Sequence, residues 1–119
     1  MFCHFLGAVD WIHRPRNRLF INEGETARIN WKFVTAGAIV VVYNKKASSL
    51  STKETRIATK KERFPATIAN GYQDKIFVGK SGALRIINAG ISDEGFYGIR
   101  ITYETGYLTD EVEIKIQSK

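Results

Sequence analysis

The sequence predicts an all-β domain, an antiparallel sandwich or barrel, on three observations. Apolar and polar residues alternate strictly in TARINWKF and in EVEIKI, which is typical of strands with one buried and one wet face. Turn-forming clusters, such as NEGE at 22–25 and GKSG at 79–82, separate short apolar runs along the chain. The length of 119 residues suits one domain with one core, spanning residues 1–119.

Ten strands follow from this pattern in chain order. They cover residues 8–12, 18–21, 26–33, 38–44, 56–59, 66–69, 75–78, 83–87, 95–103 and 108–117. Pro15 separates the first two, because a proline can break an edge strand and let the chain cross to the other sheet. The third and the last carry the strict alternations. Turn residues bound the others, with NGYQD at 70–74 and ETG at 104–106 among the clearest.

Two stretches resemble variable-type (V-set) immunoglobulin domains at the spacing of that family. INEGETARINW (21–31) is similar to the approach to the second strand, B. LRIINAGISDEGFYG (84–98) is similar to strand E, the E–F corner and the start of strand F. The resemblance covers nearly the whole chain and implies an immunoglobulin-like V-set β-sandwich, with two antiparallel sheets in Greek-key order.

The resemblance gives structural roles to four residues around the E–F corner. Tyr97 would be the corner tyrosine, with its ring buried and its hydroxyl bonded to the main chain near Asp93. Gly95 would give the corner a permissive backbone. Asp93 would pair with Lys75 at the start of strand D.

The family's disulfide between strands B and F is absent from this sequence. Cys3 is the only cysteine, so no internal disulfide can form. The matching core positions are Trp31 on strand B, Ile99 on strand F and Val42 on strand C, where the family has a tryptophan. Losing a disulfide costs about 2–5 kcal/mol, and burying about 200 Å² of tryptophan returns a similar amount at about 25 cal/mol per Å². We therefore expect Trp31 to fill the space of the bridge, against Ile99 and Val42.

No set of residues in the sequence indicates catalysis, a cofactor or a metal site. The carboxylates are scattered or stand beside lysines, and no nucleophile, base and orienting group come together. Cys3, His4 and His13 are too few as ligands for a metal site. We expect a binding module that is not an enzyme and has no cofactor.

A basic segment accounts for most of the net charge of +6. Residues 45–63 contain seven lysines and arginines against two glutamates. One interpretation is a loop that binds a polyanion such as a heparin-like chain, and the other is a solvated connection. Nucleic acid is not expected as a partner, because no aromatic-interleaved groove or zinc pattern accompanies the charge.

The run AIVVVYN (38–44) is the most informative surface feature of the sequence. In the register that buries Val40 and Val42, its outward residues are Ile39, Val41 and Tyr43, where polar residues are expected. The strand at 95–103 adds outward residues beside them, and Tyr103 and Tyr107 flank the following turn. The predicted partner-binding residues are Ile39, Val41, Tyr43, Phe96, Arg100, Tyr103 and Tyr107. The alternative is that segment 45–63 folds back over the apolar strand.

The leading hypothesis is a recognition or adhesion domain at the extracellular face of the plasma membrane. It would bind another immunoglobulin-like domain, first of all a second copy of itself, through the sheet formed by strands G, F, C and C′. The product of self-binding would be a weak homo-oligomer. A variable-type domain that lacks the bridge cysteines resembles the domains of invertebrate adhesion and allorecognition receptors, in particular those of colonial hydroids. Any leader or membrane anchor would lie outside this chain. The alternatives are an intracellular, cytoplasmic structural module of a scaffold protein, and polyanion binding through residues 45–63.

Overall fold

The computed structural model describes residues 9–35, 37, 39–61 and 63–118. Short strands account for most of this part of the chain. They are β1 (Val9–His13), β2 (Arg18–Asn22), β3 (Ala27–Ile29), β4 (Lys32–Thr35), β5 (Ile39–Lys46), β6 (Thr55–Lys61), β7 (Thr67–Ile68), β8 (Ile76–Val78), β9 (Leu84–Ile86), β10 (Gly95–Tyr103) and β11 (Gly106–Gln117). A 3₁₀ turn at Ile91–Asp93 precedes β10. The predicted all-β sandwich is confirmed, with most strand ends within two residues of the predicted ones.

The strands form two layers around one hydrophobic core. One layer is a six-stranded sheet in the order β2-β11-β10-β5-β6-β7. The other contains two separate sheets, the three-stranded sheet β3-β9-β8 and the pair β1-β4, and β3 and β4 follow each other along the chain. Buried residues from both layers make the core cluster.

The chain changes sheets at Pro15, as the sequence predicts. Before the proline β1 pairs with β4, and after it β2 pairs with β11 at the edge of the six-stranded sheet. The second pairing is parallel, so the expectation of purely antiparallel sheets needs correction. After the crossing, β2 lies beside β11 at the edge of the sheet, and the two strands run in the same direction.

The strand predicted over 26–33 is divided in two. β3 ends at Ile29 and β4 begins at Lys32, and between them the Trp31 amide donates to the Ile29 carbonyl oxygen at 3.0 Å. This tight turn directs the indole of Trp31 fully into the core. The side chain that fills the centre therefore comes from a break in the strand. Alternation alone does not indicate such a break.

The side chains of β5 face the opposite way from the prediction. Val41 and Tyr43 are 2% and 0% exposed and lie in the core, whereas Val40 and Val42 lie on the other face. The expectation that Ile39, Val41 and Tyr43 face solvent is therefore wrong. A shift of one residue turns every side chain of a strand to the other face, and the apolar run 38–42 is compatible with both registers.

Tyr43 decides the register of β5. Its hydroxyl donates to the Gly82 carbonyl oxygen at 2.8 Å, and its ring centroid is 6.1 Å from that of Trp31. Burial raises the pKa of the Tyr43 hydroxyl, which therefore remains a neutral donor. Tyr43 is the core aromatic residue of this strand, and the assignment of Val42 to the core is wrong. Ile99, in contrast, is buried as expected.

The E–F corner has the contacts expected for it. The Tyr97 hydroxyl donates to the Asp93 carbonyl oxygen at 2.6 Å, and the Lys75 ammonium lies 3.0 Å from the Asp93 carboxylate. The same carboxylate accepts a hydrogen bond from the Gly90 amide at 2.8 Å. Gly95 has a φ of 151°, and a Cβ there would lie 2.7 Å from the Lys46 carbonyl oxygen. The corner thus depends on each of these residue types.

Candidate functional site

The candidate site is the outer face of the six-stranded sheet, the side turned away from the core. Strand pairing places alternate residues of β5, β10 and β11 side by side on this face. They are Val40, Val42 and Asn44 from β5, Phe96, Gly98, Arg100 and Thr102 from β10, and Tyr107, Thr109 and Glu111 from β11. The outward orientation predicted for Phe96 and Arg100 is confirmed. The face therefore combines apolar, aromatic and charged groups on neighbouring strands.

An apolar cleft lies at one end of the outer face. This upper end carries the turn between β10 and β11, since Tyr103 pairs with Ile39 and with Gly106. The cleft has a volume of about 510 Å³. Its lining residues are Ile39, Val40, Lys61, Phe64, Thr102, Tyr103 and Glu104. Phe64 is 63% exposed and Val40 is 36% exposed, so this end presents apolar groups to solvent.

Arg100 and Tyr107 form a stacked pair next to this cleft. The guanidinium carbon lies 4.0 Å from the centroid of the tyrosine ring, within the range of a cation–π contact. Both side chains are exposed. The stack orders a long cationic side chain before any partner arrives, which lowers the entropy that binding would cost.

Polar depressions occupy the centre of the outer face. Two adjoining clefts, of about 380 and 490 Å³, share Asn44, Glu54 and Arg100. Gly98 opens the first of them because it has no side chain. A Cβ at Gly98 would meet only the Asp110 carbonyl oxygen, at 3.6 Å, an ordinary contact. Nothing in the domain itself therefore requires a glycine there.

Ion pairs balance the charges on the remainder of the face. The Lys46 ammonium lies 2.8 Å from Glu111, and the Arg18 guanidinium lies 2.7 Å from Glu113. Across the described residues, neither Glu54 nor Arg100 belongs to a salt bridge. An acid and a base thus remain available at the centre of the face.

The predicted site residues divide into three groups. Phe96, Arg100 and Tyr107 lie on the outer face, while Tyr103 and Ile39 are half-buried at its upper end, packed against the core. The last two of the seven, Val41 and Tyr43, are in the core and cannot contact a partner there.

Sequence reasoning missed Val40, Phe64 and Glu54. The wrong register for β5 hid Val40. Phe64 and Glu54 lie on connections flanking β6, whose place beside β5 brings them to the outer face. β6 pairs with β5 edge to edge, so the alternative that residues 45–63 cover the apolar strand is wrong for the part that forms β6.

The basic segment does not form one charged surface. The Lys45 ammonium donates to the Ser92 carbonyl oxygen at 2.9 Å, and partial burial lowers its pKa against the opposing effect of Asp93. Lys46 pairs with Glu111, and Arg56 lines the outer face. Lys60 and Arg63 line clefts at the upper end. Because these cationic side chains lie at different parts of the domain, they argue against one continuous polyanion site on the segment.

No metal site or membrane span is found in the described ranges. They contain no group of three or more His, Cys, Asp or Glu side chains placed to hold a metal ion. Cys3 and His4 lie outside them. Among the same residues, no helix has the length and apolar character needed to cross a bilayer.

The fold is shared with many solved structures. Murine CRIg superimposes with a TM-score of 0.76 at 13% identity, over 93% of this chain and 99% of that one. The tandem V-type regions of VCBP3, a v-region-containing chitin binding protein, give 0.73 at 14% identity, over 94% and 52%. The extracellular domain of the voltage-gated sodium channel beta4 subunit gives 0.66 at 11%, over 86% and 91%. No protein-family model and no curated protein matches this sequence.

The fold is that of a variable-type immunoglobulin domain. In its strand nomenclature β5 is C, β6 is C′, β7 is C″, β10 is F and β11 is G. The outer face is therefore the exposed side of the GFCC′ sheet of this immunoglobulin-like domain. The C′ and C″ strands distinguish its layout from the shorter constant type.

Proposed function

We propose that this domain binds another immunoglobulin-like domain, and first of all a second copy of itself, through the outer face. The role would be cell–cell adhesion or self/non-self recognition by the ectodomain of a membrane-anchored protein. The observation that carries the proposal is the exposed apolar cleft around Val40, Phe64 and Tyr103, next to the Arg100–Tyr107 stack. Aromatic residues and arginine are the types that interface cores favour.

Self-recognition is supported by charges that complement each other under two-fold symmetry. Glu54 and Arg100 line the same two depressions from opposite sides of β5. A two-fold axis that lies between two facing outer faces, parallel to β5 and directly above it, would bring Arg100 of each copy to Glu54 of the other. In a two-fold interface every contact occurs twice, so one acid and one base give two intermolecular ion pairs.

A structural relative provides a precedent for a homodimer of domains with this fold. The sodium channel beta4 subunit has the same fold, and its extracellular domains form parallel homodimers that explain its role in cell–cell adhesion. At 11% identity that likeness concerns the fold. The proposal for this chain therefore rests on its own outer face.

Sedimentation velocity over a range of concentrations tests the proposal with a Gly98→Leu variant. The domain itself has room for the new Cβ, so the variant should fold. The leucine would protrude from the centre of the outer face and hold a partner away. We expect wild-type self-association and, in the variant, dimerisation at least about tenfold weaker, which corresponds to a misfit of about 1.4 kcal/mol.

Gly90→Leu is the matched control. A Cβ at Gly90 meets no atom within 4 Å, and the residue precedes the E–F corner, away from the upper end. This variant should associate as the wild type does. A wild-type protein that is monomeric at every concentration, or equal association of Gly98→Leu and Gly90→Leu, would contradict homophilic binding through the outer face.

A further inference from the structure

Three cationic residues border two adjoining clefts at the upper end of the domain. Lys60, Arg63 and Lys80 line both clefts, which have volumes of about 320 and 380 Å³. Lys60 belongs to β6, Arg63 follows that strand, and Lys80 lies on the turn between β8 and β9. We call this pair of clefts the cationic cleft.

Apolar groups form much of the surface between these cations. Phe33 and Ile39 are the half-buried apolar residues of the first cleft, with Val41 and Tyr43 buried behind them, and the second cleft is lined by Phe64, Ile68, Phe77 and Val78. Phe64 and Phe77 are both more than half exposed, an unusual state for two neighbouring aromatic side chains. Among the described residues that line either cleft there is no aspartate or glutamate.

Contacts within the domain hold the walls of the cationic cleft in place. The Tyr43 hydroxyl donates to the Gly82 carbonyl oxygen at 2.8 Å, which ties the turn carrying Lys80 to β5. The Gly82 amide donates to the Gly79 carbonyl oxygen at 3.2 Å and closes that turn. The Lys60 ammonium donates to the Phe64 carbonyl oxygen at 2.8 Å and orders the opposite wall. The cleft therefore exists before a ligand binds.

We propose that the cationic cleft binds a hydrophobic carboxylate, a carboxylate group attached to an aliphatic or aromatic body. The cations provide charge complementarity for the carboxylate, and no acidic side chain on the described walls opposes it. The phenylalanines and aliphatic side chains would cover the body of the ligand. A small inorganic anion would leave the apolar lining unused, and a neutral apolar molecule would leave the cations unused. Clefts of this size are typical of small-ligand sites.

Isothermal titration calorimetry with octanoate tests this inference on the folded domain. We expect octanoate to bind, 1-octanol to bind more weakly, and acetate to give no measurable heat of binding. In the double variant Lys80→Gln/Arg63→Gln, octanoate should bind at least about tenfold more weakly, because hydrogen bonds to charged groups are lost. Both residues are exposed, so the variant should fold.

A matched double variant controls for the change in net charge. Lys53→Gln/Arg28→Gln also removes one lysine and one arginine, both exposed, and neither residue lines either cleft. It should bind octanoate as the wild type does. The inference is overturned if the wild type does not bind octanoate, or if the two double variants bind it equally. Binding only to phosphatidylserine vesicles, with none to free octanoate, would also overturn it, in favour of a membrane surface.

Discussion

The indole of Trp31, held by Asp110, lies in the interior position that a disulfide fills in variable-type immunoglobulin domains. The indole is fully buried, and its N–H donates to the Asp110 carboxylate at 2.7 Å. Asp110 pairs across the sheet with Ile99, the residue at the position of the strand F cysteine. The tryptophan therefore contributes both buried apolar area and a specific polar contact that fixes the orientation of its ring.

Asp110 should contribute to stability through this hydrogen bond. Asp110→Ala leaves the buried indole N–H without its partner, and we expect the free energy of unfolding to fall by about 1–3 kcal/mol. Asp110→Asn keeps an oxygen acceptor in place and should lose less. Urea denaturation of the three proteins measures the difference. Equal stability of Asp110→Ala and the wild type would mean that the contact contributes nothing.

The sequence predicted one half of this pair. Trp31 stands in a strict alternation, so its burial could be inferred from period two alone. Asp110 occupies an inward position of β11, between Leu108 and Val112, and an acidic residue among inward apolar ones signals a buried donor nearby. That signal was present in the sequence, but it could not name the donor, because the indole comes from 79 residues away along the chain.

At the level of the element, the orientation of strand β5 could not be predicted from its pattern of apolar and polar residues. The strand begins with four apolar residues, so both of its faces could be buried equally well. Its register is decided by contacts with the turn between β8 and β9, where Tyr43 bonds to Gly82. Apart from Phe96, β10 has small or polar residues on its outward side, namely Gly98, Arg100 and Thr102, and its orientation was predicted correctly. Period two thus fixes a strand's orientation only where one face is polar.

The turn between β8 and β9 should be sensitive to a single methyl group at Gly82. Its φ of 106° disfavours any other residue, and a Cβ there would lie 2.3 Å from Cε2 of Phe33. Gly71 has a similar φ of 90°, but a Cβ at that position would meet no atom within 4 Å. Gly71→Ala should therefore cost about 1–2 kcal/mol of unfolding free energy through the backbone alone. We expect Gly82→Ala to cost at least about 1 kcal/mol more through the overlap with Phe33.

Urea denaturation of the two alanine variants separates these contributions. The same experiment reports on β5, since displacement of Phe33 and Gly82 would disturb the partner of the Tyr43 hydroxyl. Equal losses in Gly71→Ala and Gly82→Ala would show that the ring of Phe33 moves aside without cost.

At the scale of the whole molecule, the sandwich gathers its distinctive surfaces at the upper end. The apolar cleft of the outer face and the cationic cleft share Phe64 as a lining residue. The net charge of +6 comes to a large extent from the segment 45–63, yet the fold distributes those cations between internal contacts, the outer face and the cationic cleft. Composition alone left two interpretations of the segment open, a polyanion-binding loop and a solvated connection, because the paths of β5 and β6 could not be read from it.

The fold class and the E–F corner could be predicted because they depend on local spacing and on alternation. The surface for partner binding could be predicted only in part. Phe96, Arg100 and Tyr107 followed from the polar pattern of their own strands, whereas Val40, Phe64 and Glu54 depend on the register and path of other strands. Sites assembled from several strands require tertiary structure.

The most direct measurement of homophilic binding is a charge-reversal experiment by sedimentation velocity. Arg100→Glu and Glu54→Arg should each lose self-association, because each homodimer would then oppose like charges across the two-fold axis. Mixed in equal amounts, the two variants should associate again, since each of the two contacts in the heterodimer would join one acidic and one basic side chain. A mixture that stays monomeric while the wild type dimerises would contradict the proposed two-fold contact through the outer face.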